Sequence, residues 1–260
     1  MKKIEFSLID EWGGHLVAAM SPIIAETKYI AVDGFSNEVK AKLGEIVQHV
    51  FPEDILSHIR ETVHGVERSP VIIRNLPVQP DLASDIFVYV TAGIYHNMEI
   101  NLISSNVLPR SKDNEGKISF NGSRFHKDMS YENVISVGVV RNNEGAENEF
   151  LDVLTVLKKM DDESLKKIML DNRKNAYDFL HPYNDEMNFI VNRDLSNKHA
   201  LQKFDELCAG NFVKHTLIQG SMVIWNNDKV YHRVTAGNIA PEMPSDKLRV
   251  AVQTVGSFTR

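Results

Sequence analysis

The sequence predicts an α+β fold in which a β-sandwich or jelly roll is flanked by helices. Helical patterns dominate the first hundred residues, short β-rich runs dominate from Phe125 onward, and one amphipathic helical insert at about 152–170 interrupts those runs. Many short strands with one layer of helices are typical of these architectures. No linker rich in proline, glycine or serine separates the halves. We therefore expect a single domain over 1–260, with a mainly helical part, 1–100, packed on the β core.

Helical spacing and cap signals predict most elements of the first hundred residues. Ser36 or Asn37 is a good cap for a helix with an apolar stripe, and Pro77 stops an apolar β run. The predicted elements are an apolar helical segment over 15–29 broken at Pro22, a helix over 37–51, a short helix over 52–62, a buried strand over 69–77 and a long core helix over 82–100.

The second half is predicted to contain a polar loop and short strands. Residues 104–122 are polar and contain Pro109, Gly116 and Gly122, which indicates a loop. The predicted strands are 134–140, 212–218, 222–225 and 248–255. The insert over 152–170 carries a core-facing stripe of Leu154, Leu157, Leu165 and Ile168.

Composition excludes several classes of protein and partner. The 260 residues are 43% hydrophobic and 25% charged, as in ordinary globular proteins. The net charge is −6 and the basic residues are scattered, so we expect no nucleic-acid partner. No apolar run approaches the ~18 residues of a membrane span, and no signal peptide is indicated. With a lone cysteine, Cys208, these features predict a cytoplasmic protein with no membrane partner. Nothing in them indicates an oligomeric state.

Common catalytic motifs do not occur. The chain lacks G-x-S-x-G, Walker A, G-x-G-x-x-G, C-x-x-C and H-E-x-x-H, which weakens the hydrolase, nucleotide-binding and zinc-protease hypotheses. Cys208 has no nucleophile signature around it, so we expect a structural thiol.

A histidine and a carboxylate two residues apart form the first candidate for chemistry. In an extended segment His126 and Asp128 point to the same face, where both can bind one metal ion. A distant histidine would complete a 2-His-1-carboxylate triad, which leaves positions open on a non-haem Fe(II). The composition gives about one His-x-Asp/Glu triplet by chance, so the triplet alone fits a hydrogen-bonded surface pair as well.

The second candidate segment contains a histidine and, further on, an arginine in an alternating strand. His232 lies in a short β segment. Arg233 is expected to face the opposite side as a structural or solvent-exposed residue, and a second contact with a bound co-substrate is the alternative. Trp225, in the strand before, is expected to pack in the core. Arg249 shares a face with Ala251 and Gln253, and an arginine there is costly unless it meets an anion, such as a carboxylate bound by both arms of the guanidinium.

At this point the sequence resembles a known family, the Fe(II)/2-oxoglutarate dioxygenases, and most of all the clavaminate synthase-like branch of the taurine dioxygenase superfamily. The order of His126-x-Asp128, Asn226-Asn227, His232-Arg233-x-Thr235-Ala236 and Arg249 carries the resemblance. Residues 71–78 resemble that branch's apolar strand followed by Arg-Gly-Leu-Pro-Val, with Asn75 where glycine is usual. Residues 125–131 resemble its Phe-His-Thr-Glu-Met-Ala-Tyr/Phe signature. The resemblance spans about residue 70 to the C-terminus.

The resemblance implies a fold, a cofactor and a co-substrate. The fold would be a distorted double-stranded β-helix, a jelly roll with helices outside. His126, Asp128 and His232 would bind Fe(II), and Arg249 would bind the distal carboxylate of 2-oxoglutarate, with O₂ as the oxidant. A threonine that commonly helps to hold the co-substrate is missing from 145–151. Asn148 is our hypothesis for that role, and an ordinary polar loop residue is the alternative.

The function implied is hydroxylation or desaturation of an unactivated C–H bond, with release of succinate and CO₂. Relatives of this branch commonly oxidise arginine, asparagine or lysine, so we expect a small free amino acid or a derivative as the substrate. Carboxylates in residues 184–186 and 192–194 are candidates to receive its cationic groups, and a solvated surface loop is the alternative. The alternatives are a sulfonate or carnitine-type oxygenase on the same fold, and a non-catalytic β-barrel that binds a metal or a small acid.

Overall fold

The structure, a computed structural model, describes residues 1–2, 4–27, 30–78, 83–109, 125, 133–143, 145–161, 163–164, 198–235 and 248–258. Within these ranges the chain has an α+β fold. The elements, in chain order, are β1 (Ile4–Ser7), α1 (Asp10–Thr27), α2 (Asn37–Val50), α3 (Glu53–Val63), β2 (Val71–Arg74), α4 (Ala83–Asn97), β3 (Ile100–Pro109), β4 (Val134–Arg141), β5 (Glu147–Asp152), α5 (Val153–Leu157), α6 (Lys198–Cys208), β6 (Phe212–Thr216), β7 (Met222–Asn226), β8 (Val230–Val234) and β9 (Val250–Phe258).

The strands form two sheets. A larger sheet has the strand order β1-β2-β7-β4-β9-β3, in which β1 and β2 are parallel and the other neighbours are antiparallel. A smaller sheet has the order β6-β5-β8 and is antiparallel. Neighbours in each sheet come from distant parts of the chain, so the sheets assemble by long-range pairing.

The central strands of the larger sheet, β2, β7, β4 and β9, are largely buried on both faces. Strand alternation decides which side chain faces which layer. In β7, Met222 and Ile224 pack against helices α1 to α4, whereas Val223 and Trp225 belong to a second apolar cluster. That second cluster also contains Phe150 of β5 and Val230 of β8. The space between the two sheets is therefore closed by apolar side chains from both.

The outer face of the smaller sheet is covered by the short helices α5 and α6. Leu151 of β5 and Tyr231 of β8 pack there with Leu154, Phe204 and the buried thiol Cys208. Cys208 is thus a structural thiol, as predicted. None of the helices in the described ranges combines the length and the apolar character that crossing a membrane requires.

Most of the predicted elements are confirmed. Helix α2 begins at Asn37, where the Ser36 hydroxyl oxygen accepts a hydrogen bond from the N–H of Val39 over 3.2 Å. Helices α3 and α4 and strands β2, β4, β6, β7, β8 and β9 lie within a few residues of their expected bounds. The insert begins at an Asp152 cap, and its Leu154 and Leu157 are buried; Leu165 and Ile168 lie outside the described residues.

Three predictions are wrong. The helix α1 begins at Asp10 and runs through Pro22 without a break, because its buried stripe of Leu16, Met20 and Ile24 packs on both sides of the proline. Residues 104–109, expected in a loop, belong to β3, where pairing with β9 overrides the polar pattern. The insert is not one helix over 152–170, because α5 ends at Leu157 and a turn follows at 158–159.

One strand was not predicted. The polar segment at 147–152 forms β5, the central strand of the smaller sheet.

Asn75 adopts the conformation that explains why glycine is usual in the similar segment of the family. Its φ is 62°, in the left-handed region, which asparagine tolerates better than most residues do. Its side-chain amide donates to the carbonyl of Leu8 over 3.3 Å, which ties the end of β2 to the segment after β1.

Candidate functional site

Arg249 and Asn148 meet between the two sheets. Arg249 precedes β9, and its Nη2 donates a hydrogen bond to Oδ1 of Asn148 on β5 over 3.2 Å. Both residues are nearly buried, at 8% and 5% exposure. As the alternating pattern predicts, Ala251 packs between the sheets and Val252 packs against the helices. The first predicted co-substrate residue thus contacts the second.

The side-chain amide of Asn148 still has hydrogen-bonding capacity. Its Nδ2 is buried and has no hydrogen-bond partner among the described residues. A buried N–H group left without an acceptor is destabilising, so native proteins rarely keep one. An anionic oxygen beside Asn148 would accept from this amide, which is the chemistry expected for a carboxylate ligand.

His232 lies on the same face of the smaller sheet as Asn148. Phe150, two residues after Asn148 on β5, is the register partner of His232 on β8. Side chains two apart on a strand, and those opposite each other on neighbouring strands, point to the same face. Strand pairing thus brings His232 and Asn148 to one surface, although 84 positions of sequence separate them.

Trp225 fixes the imidazole of His232 from the larger sheet. The two rings have centroids 4.9 Å apart at an angle of 54°, and the indole also meets Phe150 edge-on at 5.4 Å. The predicted core packing of Trp225 is confirmed at 2% exposure, but its contact with His232 was not predicted. Its buried Nε1 has no hydrogen-bond partner among the described residues, which adds a second donor to this region.

The other two predicted metal ligands, His126 and Asp128, lie outside the described residues. In the part of the chain that is described, no three side chains of His, Cys, Asp or Glu converge on a point that could hold a metal ion. The residue directly before His126 is described: Phe125 is buried, and its ring lies under the guanidinium of Arg233. Phe125, the residue directly before His126, therefore lies beside β8.

His215 and Glu149 are two buried polar residues near this site that the sequence does not indicate. His215 on β6 is the register partner of Asn148 and is 3% exposed; its Nδ1 lies 4.0 Å from Oε2 of Glu5. Glu149 is 1% exposed on the outer face of the same sheet. A polar residue in a short polar run is normally exposed, so no local signal identifies either one.

Comparison with known proteins relates the chain to one group of structures. No family model matches the chain, and no curated protein matches it in sequence. Among solved structures, asparagine oxygenase in complex with Fe(II), 2S,3S-3-hydroxyasparagine and succinate is similar with a TM-score of 0.70 at 13% identity, over 98% of this chain and 94% of that one. The non-heme iron oxygenase OrfP in complex with Fe and alpha-ketoglutaric acid gives 0.66 at 12% identity, over 100% and 95%. OrfP in complex with Fe, succinate and (3S)-hydroxy-L-Arg gives 0.64 at 12% identity, over 98% and 94%.

These similarities concern the fold. The chain has the fold of the non-heme iron oxygenases over nearly its whole length and nearly the whole length of theirs. This likeness in fold agrees with the family that the sequence resembles. The charged residues over 184–194, which the sequence suggests for substrate binding, lie outside the described residues.

Proposed function

We propose that the protein is a non-haem Fe(II)/2-oxoglutarate-dependent dioxygenase that hydroxylates a small free amino acid or a close derivative. The contact of Arg249 with Asn148 between the sheets carries this proposal, because it gives a donor-rich, nearly buried position on the same face as His232. The similar structures support it: asparagine oxygenase binds Fe(II), a hydroxylated asparagine and succinate, and OrfP binds Fe and alpha-ketoglutaric acid.

His126, Asp128 and His232 are the proposed iron ligands. Two imidazoles and one carboxylate suit Fe(II) and leave coordination positions open for other ligands. The described part of this set fits the metal, since His232 is only partly buried and its ring is held by Trp225. With 2-oxoglutarate, bound iron supplies the activation of O₂, while the protein orients the substrate and excludes side reactions.

Arg249 and Asn148 are the proposed ligands of the distal carboxylate of 2-oxoglutarate. The guanidinium offers two parallel N–H donors to a carboxylate, and the amide of Asn148 offers another from a site where the described residues supply no acceptor. Because the oxygen of Asn148 accepts from Arg249, the N–H₂ group is the part of the side chain proposed to donate to the co-substrate. Asn148 thus takes over the role that a threonine commonly has in the family.

The reaction would convert 2-oxoglutarate, O₂ and the substrate C–H bond into succinate, CO₂ and a C–OH group. One oxygen atom enters succinate and the other enters the product, so no further reductant is needed. Desaturation is the alternative outcome: hydrogen atoms leave two neighbouring carbons, a C=C bond forms and the second oxygen atom leaves as water. The mass of the product distinguishes the two outcomes. We propose further that the two sheets belong to a distorted double-stranded β-helix and that 1–260 is a single domain.

A screen for succinate release tests the proposed substrate class. The protein is incubated with Fe(II), 2-oxoglutarate and one free amino acid at a time, starting with arginine, asparagine and lysine, and in parallel with taurine and carnitine. We expect one amino acid to stimulate succinate release and the hydroxylated product to form with it, and His232→Ala to abolish both. Release with taurine or carnitine only would favour the sulfonate or carnitine alternative. Binding of metal and 2-oxoglutarate without turnover on any compound would favour the non-catalytic alternative.

A further inference from the structure

The outer face of the smaller sheet carries a row of alternating charges across its three strands. Glu149 on β5 is the register partner of Lys214 on β6 and of Arg233 on β8. Arg233 Nε donates to Oε2 of Glu149 over 2.5 Å, and Lys214 Nζ lies 3.2 Å from its Oε1. Because Glu149 is almost fully buried, these contacts hold the Arg233 side chain in one orientation.

Arg233 also stacks on the aromatic ring of Phe125. Its Cζ lies 4.4 Å from the centroid of Phe125 and 5.4 Å from that of Phe212, and the two rings are 5.5 Å apart. Phe125 is 2% exposed, so the guanidinium sits over a ring that is shielded from water. A cation over a shielded aromatic face is attracted to it more strongly than one at an exposed site.

The two contact partners each stand next to a proposed iron ligand. Phe125 directly precedes His126, and Arg233 directly follows His232. Since successive side chains of a strand point to opposite faces, His232 faces the space between the sheets while Arg233 faces outward. The stacking of Arg233 on Phe125 therefore connects the chain next to His126 with the chain next to His232. It does so on the outer face of the smaller sheet, opposite to the face of His232.

We propose that Arg233 is a positioning residue for the iron site. Held by Glu149, it anchors Phe125, the residue directly before His126, against β8, and this anchoring limits the backbone positions from which His126 and Asp128 can bind a metal together with His232. This inference rests on the proposed function, since it takes His126, Asp128 and His232 as the ligands. Pre-organised ligands bind a metal more tightly, because less conformational freedom is lost on binding.

The test is a metal titration of the full chain, stripped of metal, with Co(II) as the probe and without 2-oxoglutarate. The variants are Arg233→Met, Phe125→Leu and the double variant, and thermal unfolding is followed in parallel. We expect each single variant to weaken Co(II) binding by roughly tenfold or more, as supporting residues of metal ligands commonly do. The double variant should bind no more weakly than the weaker single variant, because both remove the same contact. Arg233→Lys, which keeps the charge and loses the planar group, should recover part of the affinity.

Lys214→Met is the matched control. Lys214 contacts the same Glu149, but its ammonium lies over Phe212, 5.6 Å from that ring. This variant removes one positive charge from the row and leaves the stacking on Phe125 in place. Lys214 is half-exposed and pairs with Glu147 as well as with Glu149. We expect the Co(II) affinity of this variant to stay within about twofold of the wild type, because the ion pairs of a solvent-exposed lysine contribute little.

The outcomes separate this inference from the proposed function. Unchanged Co(II) affinity in Arg233→Met, with or without a lower melting temperature, would overturn the positioning role even if the wild type released succinate. An equal loss of Co(II) affinity in Lys214→Met would also overturn the positioning role, because the removal of any cation beside Glu149 would then explain the effect. If Arg233→Met binds Co(II) poorly and no amino acid releases succinate, the positioning role stands and the proposed reaction fails. If the wild type shows no Co(II) binding that depends on His232, both fail.

Discussion

Arg249 and Asn148 are 101 positions apart in the sequence, and Nη2 of the first donates to Oδ1 of the second over 3.2 Å. The hydrogen bond uses one lone pair of the asparagine oxygen and orients the amide, which still has its N–H₂ donors to offer to a ligand. The two side chains come from different sheets. Together they form a site that favours a carboxylate, whose two oxygens lie in one plane.

Replacing Arg249 by alanine is expected to weaken binding of 2-oxoglutarate by on the order of 2–5 kcal/mol, because one end of a charge-assisted pair is removed. Arg249→Lys should also bind weakly, since an ammonium cannot donate two parallel hydrogen bonds to one carboxylate. Calorimetric titration of the metal-loaded protein measures both. Wild-type affinity in Arg249→Ala would show that the co-substrate carboxylate binds elsewhere.

Replacing Asn148 by aspartate is expected to be worse for the co-substrate than replacing it by alanine. The aspartate would form an ion pair with Arg249 and would repel the carboxylate that the asparagine amide should attract. Alanine removes the donor without adding a negative charge, so it serves as the uncharged control. The same titration measures the difference. Equal affinities for the two variants would mean that Asn148 does not contact the co-substrate.

The turn before β7 depends on Gly220. Its φ is +80°, and an added Cβ would lie 2.7 Å from the carbonyl oxygen of Leu76, so Gly220→Ala combines backbone strain with a steric clash. We expect a loss of about 1–3 kcal/mol in the free energy of unfolding, measured by urea denaturation. Gly145→Ala is the control: its φ is +66°, and a Cβ there has no heavy atom of the described residues within 4 Å. Equal losses in both variants would contradict a role for the clash.

Burial of Tyr95 predicts a pH dependence of stability. Its hydroxyl lies 3.2 Å from the carbonyl oxygens of Val134 and Thr254, to which it donates, and burial raises the pKa of Tyr95 well above its usual range. As the pH rises through about 10, the ordinary tyrosine pKa, the unfolded chain loses this proton while the folded chain keeps it. The stability contributed by Tyr95 is therefore complete below that pH and declines above it.

Tyr95→Phe separates this effect from general alkaline unfolding. At neutral pH the variant should lose about 1 kcal/mol with the hydrogen bond. Between about pH 9 and 11 its free energy of unfolding should fall less steeply than that of the wild type. Parallel slopes over this range would rule out a contribution from Tyr95.

The elements with strong local signals could be predicted from the sequence. The Ser36 cap defines the start of α2, and strict alternation from Leu248 to Gln253 predicts on which face Arg249 lies. The His232 segment and β7 follow from turns at both ends of short apolar runs. These signals act within a few residues, so they need no knowledge of the tertiary structure.

The polar strand β5 could not be predicted, because its partners come from far along the chain. Glu149 would be costly to bury alone, and the cations that accompany it, Arg233 and Lys214, are 84 and 65 positions away. The contact of Arg233 with Phe125 likewise joins residues that are far apart in the sequence. A local pattern gives no indication of such pairing.

Isotope incorporation tests the central claim of dioxygenase activity most directly. The protein is incubated with Fe(II), 2-oxoglutarate, the amino acid that stimulates turnover, and isotopically labelled oxygen gas. The masses of the products are then measured by mass spectrometry. The account predicts one labelled oxygen atom in succinate and one in the hydroxylated amino acid, in equal amounts, and neither product from His232→Ala. Succinate that carries no label, or that forms equally well in His232→Ala, would contradict it.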